Sequence, residues 1–533
     1  MREALRGIGP YYNAARLFID DNVERGLGDK TAIYYKDQEI TYRELQKQVN
    51  QFANGIRQLA ELENRVLIVL YDSPQFIISF FGCIKVGVVP VPVNTMMTVK
   101  DYEYFLNNSR AKVLVIQESI WKKLADCKER FPYLQHVIVC RDDDGRKEKE
   151  TALADGVLDF DRYVNQQSDQ GEPVHTVRDD AAFWLYTSGS TGNPKGAIHL
   201  QHDMEYAFRS YAQNILEIDE NDITFSASKL FFAYGLGNGM YFPLGAGAST
   251  VLMPDRPSPD KVFETIERYR PTLFFGVPTL YGSMIDLAER SGRVFDLSSV
   301  RLCVSAGEPL PASFVRKWRQ LFNVDILDGI GTTEILHIFI SNRPGDIREG
   351  STGKIVPGYE AKVVNEQGIP LSPGEIGDLI IKGDSTAHAY WNMHEENKRK
   401  FNGEWYVTGD KYYVDEEGYF WYCGRSDDML KVGGMWVSPI EIENALLQHE
   451  AVLEAAVVGV RDEHNLDKPK AFIVLKEGYQ PGEGLKRELM EFVKGNLAPY
   501  KYPRMIQFVD SLPKTATGKI QRFKLREESY AAK

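Results

Sequence analysis

The run Tyr186-Thr187-Ser188-Gly189-Ser190-Thr191-Gly192-Asn193-Pro194-Lys195-Gly196 holds three glycines, four Ser/Thr hydroxyls and one lysine behind the apolar lead-in Ala181–Leu185. Glycines let backbone N–H groups approach an anion closely, hydroxyls add donors, and the lysine adds a mobile positive charge. This is the chemistry of a loop that grips polyphosphate. A plain glycine-rich surface turn is the alternative, and the hydroxyl density and single lysine weigh against it. The run is not the G-x-x-x-x-G-K-[ST] loop of nucleotide hydrolases. Counted from Gly189, the second glycine position is Pro194, and Gly196 follows Lys195.

Five downstream stretches could complete such a site. In Asp328-Gly329-Ile330-Gly331-Thr332-Thr333-Glu334 the glycines let the chain run flat beside a base, Thr333 can donate to phosphate, and Glu334 can bind a hard divalent cation. A capped strand-to-helix turn would read the same way. Ser305-Ala306-Gly307-Glu308-Pro309 follows an apolar run and could be a strand-end turn that also flanks the base. Trp405-Tyr406-Val407-Thr408-Gly409-Asp410 puts a carboxylate after a tight turn, which suits ribose hydroxyls or an ordinary β-turn. Gly424-Arg425-Ser426-Asp427-Asp428, followed by Gly433-Gly434, reads as a hinge with a glycine hairpin or as a plain linker. Pro513-Lys514-Thr515-Ala516-Thr517-Gly518-Lys519 offers a lysine on a glycine-containing loop, which is idle unless the loop is brought to an anion.

In this order the motifs resemble the adenylate-forming superfamily of acyl-CoA synthetases, luciferases and peptide-synthetase adenylation domains, over about Asp29 to Lys519. The resemblance implies ATP and Mg²⁺ as ligands and CoA as co-substrate. It makes Thr187, Ser188, Gly189, Ser190, Thr191, Gly192 and Lys195 the β/γ-phosphate holder. Gly307, Glu308 and Pro309 with Asp328, Gly329 and Ile330 flank the adenine. Most relatives have Tyr where this chain has Ile330, so stacking there is expected to differ. Thr333 contacts the α-phosphate and Glu334 holds the metal. Asp410 and Arg425 take the ribose, Asp427 is the hinge, Gly433 and Gly434 pack on the pantetheine arm, and Lys519 is the catalytic lysine of adenylation. The implied reaction forms an acyl-adenylate, then rotates the small domain for attack by the CoA thiol.

The stretches Leu230–Gly237 and Gly331–Phe339 are similar to the benzoate–CoA ligase branch. That likeness implies a short flat acid slot of Ala233, Tyr234, Ala306, Gly331, His337 and Ile338, although His337 also reads as an ordinary interior histidine. No basic residue there is an evident partner for a second carboxylate, so a monoacid is expected. Benzoate is not separated from alicyclic acids such as cyclohexane- or cyclohexene-carboxylate, from medium-chain acids or from 2-aminobenzoate, nor from the substrate of an aryl adenylation enzyme that loads a carrier protein. No carrier domain follows Lys519, which favours free CoA.

The elements that must position these residues alternate. Val113–Ile116 and His136–Val139 are continuous apolar runs separated by helical stretches, the pattern of parallel strands with covered faces. His199 to Ala212 reads as helix. From Gly353 short β-like runs alternate with Gly and Pro, and after residue 426 an α+β module follows. The expectation is an α/β chain: a large N-terminal domain (1–426) of parallel αβ sheets plus a β-rich lobe, and a small mobile C-terminal α+β domain (427–533). With 533 residues the chain exceeds one ordinary core. Net charge −12 disfavours nucleic acid, and five scattered cysteines argue against a disulfide framework or zinc site. The apolar segment Phe76–Val93 is broken by Lys85, Pro90 and Pro92, so no membrane span or signal peptide is expected, and a cytoplasmic protein is. The partners expected are a small carboxylic acid, ATP and CoA, with a homodimer admitted as the oligomeric form.

Overall fold

The computed structural model describes residues 11–142, 156–187, 193–426, 428–432, 435–461, 467–498, 501–514 and 520–531. The apolar runs become two largely parallel sheets. In the first, Val89–Pro92, Arg65–Val69, Val113–Gln117, His136–Cys140 and Val157–Asp159 pair in that order, all parallel. Val89–Pro92 carries two prolines and sits at the edge, where a missing N–H costs no ladder bond.

The second sheet has nine strands. Its parallel middle runs Ile326–Gly331, Leu302–Ser305, Leu273–Gly276, Ile223–Ser226, Ser249–Leu252 and Thr31–Tyr35. Gln38–Thr41 closes one edge as an antiparallel hairpin, and Thr41 and Glu44 form a reciprocal capping box on the helix Tyr42–Leu59, as the sequence implies. Ile338–Ser341 and Lys354–Ile355 extend the other edge antiparallel.

The β-rich lobe is antiparallel, with Trp405–Val414 at its centre. The last module stacks Val452–Arg461, Asp467–Leu475 and Met505–Phe508 against the helices Pro439–Leu446 and Glu483–Asn496. Among the described residues no helix is long and apolar enough to cross a membrane. Residues 143–150 of the charge run at 141–150 lie outside the described residues.

Two local expectations are corrected. His199 does not start a helix: Lys195–Leu200 is a strand, and the helical stretch begins at Asp203. The ladder to Ala181–Thr187 captures Ile198 and His199 opposite Trp184 and Phe183. Gly424 and Arg425 are not a break but the end of the strand Phe420–Arg425, held by pairing with Lys411 and Asp410.

Lys85, at the end of the buried helix Pro74–Lys85, is 1% exposed and donates to both carboxylate oxygens of Asp20 at 2.7 and 2.8 Å. Gln46 Nε2 also donates to Asp20, at 2.9 Å. Breaking such a pair leaves a buried charge, at a cost of about 3–5 kcal/mol. Lys85→Ala is expected to lower the thermal unfolding midpoint by several degrees, whereas Lys85→Met with Asp20→Leu recovers most of the loss. Calorimetry that finds the single and double variants equally destabilised would contradict this.

Candidate active site

The strands on either side of the glycine run pair antiparallel, with Tyr186 facing Gly196 and Thr187 facing Lys195. Ser188, Gly189, Ser190, Thr191 and Gly192 lie outside the described residues. The base of the loop is anchored. Tyr104 Oη donates to the Pro194 carbonyl at 2.8 Å, Tyr186 Oη to Asn108 Oδ1 at 2.7 Å, and Trp391 N–H to the Gly196 carbonyl at 2.8 Å. Lys195 is salt-bridged to Glu396, and its ammonium lies 5.3 Å from the Tyr390 ring centre. That lysine holds the Glu396 carboxyl below its usual range.

Adjacent parallel strands deliver the next two motifs to the same sheet end, with Ser305 opposite Asp328. Asp328 is buried, which pushes its carboxyl well above the usual range; the Gly329 and Leu310 N–H groups oppose the shift. The Leu310 bond knits the segment after Ser305 to Asp328. Past Gly331, Thr332 caps the short turn Thr333–Ile335 by accepting the Ile335 N–H at 3.2 Å. The buried Glu334 accepts a 2.5 Å bond from Tyr390 Oη, which lies 3.1 Å from Tyr406 Oη. Burial and then Glu334 raise the Tyr390 pKa, so the phenol stays a neutral donor.

The Thr333 carbonyl is 2.8 Å from His199 Nε2, and His199 Nδ1 is 2.8 Å from Asp203 Oδ2. The His199 ring stacks on Phe183 at 5.1 Å. Tyr390 and His199 were not singled out from sequence. No motif marks either residue.

Asp410 faces Arg425 across the β-lobe ladder, with Nη1 3.1 Å from Oδ1. Burial opposes the Arg425 charge, but Asp410 and the nearby phenols outweigh it and raise the pKa. Gly409 has φ +83°, and a Cβ there would lie 3.1 Å from both Arg425 Nη2 and Lys400 Nζ. The chain turns into Asp410 only because this residue is glycine.

Of the residues expected for the acid slot, Tyr234, Gly331, His337 and Ile338 come together. Tyr234 Oη donates to the Val304 carbonyl at 3.0 Å, and its ring lies 5.7 Å from that of His337. Phe242 and Tyr211 pack on His337 at 4.4 and 5.6 Å. Ala306 and Ile338 are buried, and a Cβ on Gly331 would meet the His337 backbone at 2.7 Å. Leu336, just before His337, holds φ +71°, a strained value for a branched side chain that helps aim the next residue inward. Both His337 nitrogens are buried, and the Tyr234 backbone is a polar neighbour of the ring. Burial lowers its pKa to about 3, so the ring is neutral.

Glu334 stands without a cluster of metal-ligating side chains; among the described residues no group of three His, Cys, Asp or Glu could hold an ion. Mg²⁺ keeps waters and takes substrate phosphate oxygens, needing one or two carboxylates from protein. Glu334 fits that requirement.

Asp427, Gly433, Gly434 and Lys519 lie outside the described residues. Their surroundings are fixed nonetheless. Lys514 and Ile520 form an antiparallel bridge, and Gln521 N–H donates to the Pro513 carbonyl at 2.8 Å, which pairs the residues on either side of 515–519. Ile520 N–H donates to Glu308 Oε1 at 3.1 Å, which ties that pairing to the segment following Ser305. Asp428 accepts from Arg526 at 2.7 Å, and Arg522 pairs with the buried Glu443 at 2.8 Å.

Residues 19–391 match the model of the AMP-binding enzyme family, and 441–519 match that of the AMP-binding enzyme C-terminal domain. The chain is 50% identical to the benzoate–CoA ligase of Thauera aromatica, over 97% of this chain and 96% of that one. It is 43% identical to the 4-hydroxybenzoate–CoA/benzoate–CoA ligase of Rhodopseudomonas palustris, over 97% and 94%. The crystal structure of an anthranilate CoA ligase in complex with anthranoyl-AMP superposes with a TM-score of 0.93 at 42% identity, covering 99% of both chains. A benzoate CoA ligase from Burkholderia xenovorans LB400 gives 0.87 at 43% identity, covering 97% of this chain and all of that one (100%).

Two outcomes are expected. His199→Ala frees the Thr333 carbonyl and is expected to lower the adenylation rate by about twofold to tenfold, the scale of about 0.5–1.5 kcal/mol for one hydrogen bond. The KM for acid should change little, and steady-state pyrophosphate release checks both. The His337 pKa is depressed from 6.5 to about 3 in the folded chain. Between those values the unfolded chain binds more protons at this site, so stability falls as pH drops from 6.5 towards 3. The acid-induced fall in melting temperature should be shallower in His337→Phe.

Proposed function

Because the chain belongs to the AMP-binding enzyme family, we propose that it is an AMP-forming acid–CoA ligase acting on benzoate or a similarly small, flat cyclic acid. The acid carboxylate attacks the α-phosphorus of ATP, the bond from that phosphorus to the bridging oxygen breaks, and pyrophosphate leaves. The thiol sulfur of CoA then attacks the acyl carbon, gives up its proton, and AMP departs. No protein nucleophile is required, because the adenylate is already activated.

In this reading Thr187, Lys195 and the run between them hold the β- and γ-phosphates, while Thr333 donates to the α-phosphate. Glu334, oriented by Tyr390, would hold Mg²⁺, which neutralises phosphate charge when bound. Asp410 and Arg425 take the ribose, and the segments 307–309 and 328–330 flank the base. Lys519 bridges the carboxylate and the α-phosphate, offsetting the repulsion of two anions. Residues 427–533 act as a lid turning about Asp427, so that Gly433 and Gly434 replace Lys519 for the second step. The bond from Ile520 N–H to Glu308 supports an adenylation-competent arrangement, since Ile520, next to Lys519 in the sequence, meets the segment proposed to flank the base.

One observation carries the choice of acid: the slot around His337 is walled by Tyr234, Tyr211 and Phe242, and its histidine is neutral. Such a wall suits an uncharged ring and rejects a second carboxylate. A 2-amino ring is the second reading, favoured by the neutral, buried His337 ring as a polar group in an apolar wall.

AMP release against benzoate, 2-aminobenzoate, cyclohexanecarboxylate and hexanoate, with and without CoA, tests the proposal. CoA-dependent turnover highest on an aromatic acid is expected. Hexanoate well above benzoate would remove the aromatic slot, and turnover unaffected by CoA would remove the ligase. Lys519→Ala should abolish adenylation yet spare thioester formation from supplied benzoyl-AMP, and Lys195→Ala should slow adenylation less than Lys519→Ala does.

A further inference from the structure

The helix His394–Lys400 sends two side chains towards the nucleotide residues from one face. Glu396 and Lys400 are four apart, one turn along that face. Glu396 holds Lys195. Lys400 donates to the Val407 carbonyl at 3.1 Å, and its ammonium sits over Gly409, within 3.1 Å of where a Cβ would stand. Arg425 Nη2 is 3.1 Å from the same point. Two cations therefore press on one glycine, immediately before Asp410.

We propose that Lys400 is a nucleotide-contacting residue, a second cation beside Arg425 that meets the phosphate next to the ribose. The charge count supports it. Asp410 already serves Arg425, and among the described residues no carboxylate lies within ion-pair distance of Lys400. Burial pushes the Lys400 pKa down and the Arg425 charge adds to that; Glu334 and Glu396 oppose it. A half-buried lysine crowded by a second cation is disfavoured unless an anion joins them. The anion that belongs beside Asp410 and Glu334 is a nucleotide phosphate, so the assignment rests on the ribose and metal roles proposed above. The competing account is structural: Lys400 would do no more than hold the Val407 carbonyl.

Calorimetric binding of AMP and of adenosine separates the two. Lys400→Met should weaken AMP on the order of tenfold, the scale of one charge-assisted bond, and leave adenosine within about twofold. Lys400→Arg should restore most of the AMP affinity. Equal weakening of AMP and adenosine, or no change in either, would overturn the proposal. Should Lys400→Met fail to fold, Lys400→Gln against Lys400→Arg gives the same ratio. Wild-type protein that binds AMP no tighter than adenosine would instead overturn the underlying reading of the site, a result distinct from any variant effect.

Discussion

Phosphate-facing cations have to be kept charged and close together before any phosphate arrives. Two cations about 6 Å apart at an effective dielectric of about 20 repel by about 3 kcal/mol, so they cannot be crowded without counter-charges. This chain supplies those counter-charges locally. Glu396 holds Lys195, and Asp410 holds Arg425 across a β-ladder. Glu334, the carboxylate proposed for the metal, is braced by a neutral phenol. The net charge of −12 makes such pairing easy to find.

Around that constraint the rest follows from strand direction. Parallel strands end together, so Ser305 and Asp328 bring their loops to one edge without long connections. The β-lobe adds Asp410 from outside the sheet, and the hairpin at 181–200 adds Lys195. The slot around His337 obeys the opposite rule. It excludes charge, relies on ring contacts, and uses absent side chains at Gly237 and Gly331 for room: a Cβ on Gly237 would stand 2.4 Å from His337 Cδ2.

Much of this was readable from the sequence. The apolar runs, the capping box at Thr41 and Glu44, and the motifs at 305–309, 328–334 and 405–410 identify themselves through local composition. What was hidden depends on partners far along the chain. Tyr390 lies in no recognisable motif, because its role comes from Glu334, 56 positions earlier. His199 sits in a strand that only its pairing with Phe183 reveals. Lys400 looks like one basic residue in Lys398-Arg399-Lys400, and only the fold separates it from its neighbours, which are exposed. Gly424-Arg425 resembles a linker because polarity alone does not show that its partner strand carries Asp410.

The bond between Ile520 and Glu308 separates two roles within one residue. The donor is the backbone N–H, which every residue but proline possesses, whereas the isoleucine side chain packs with the cluster of Leu512 and Leu525. Docking against the segment after Ser305 is therefore indifferent to which apolar side chain stands at position 520. Drift at that position is free to follow the small domain's core, while the acceptor side of this contact depends on Glu308. A lineage could repack its C-terminal core repeatedly and leave this closure untouched.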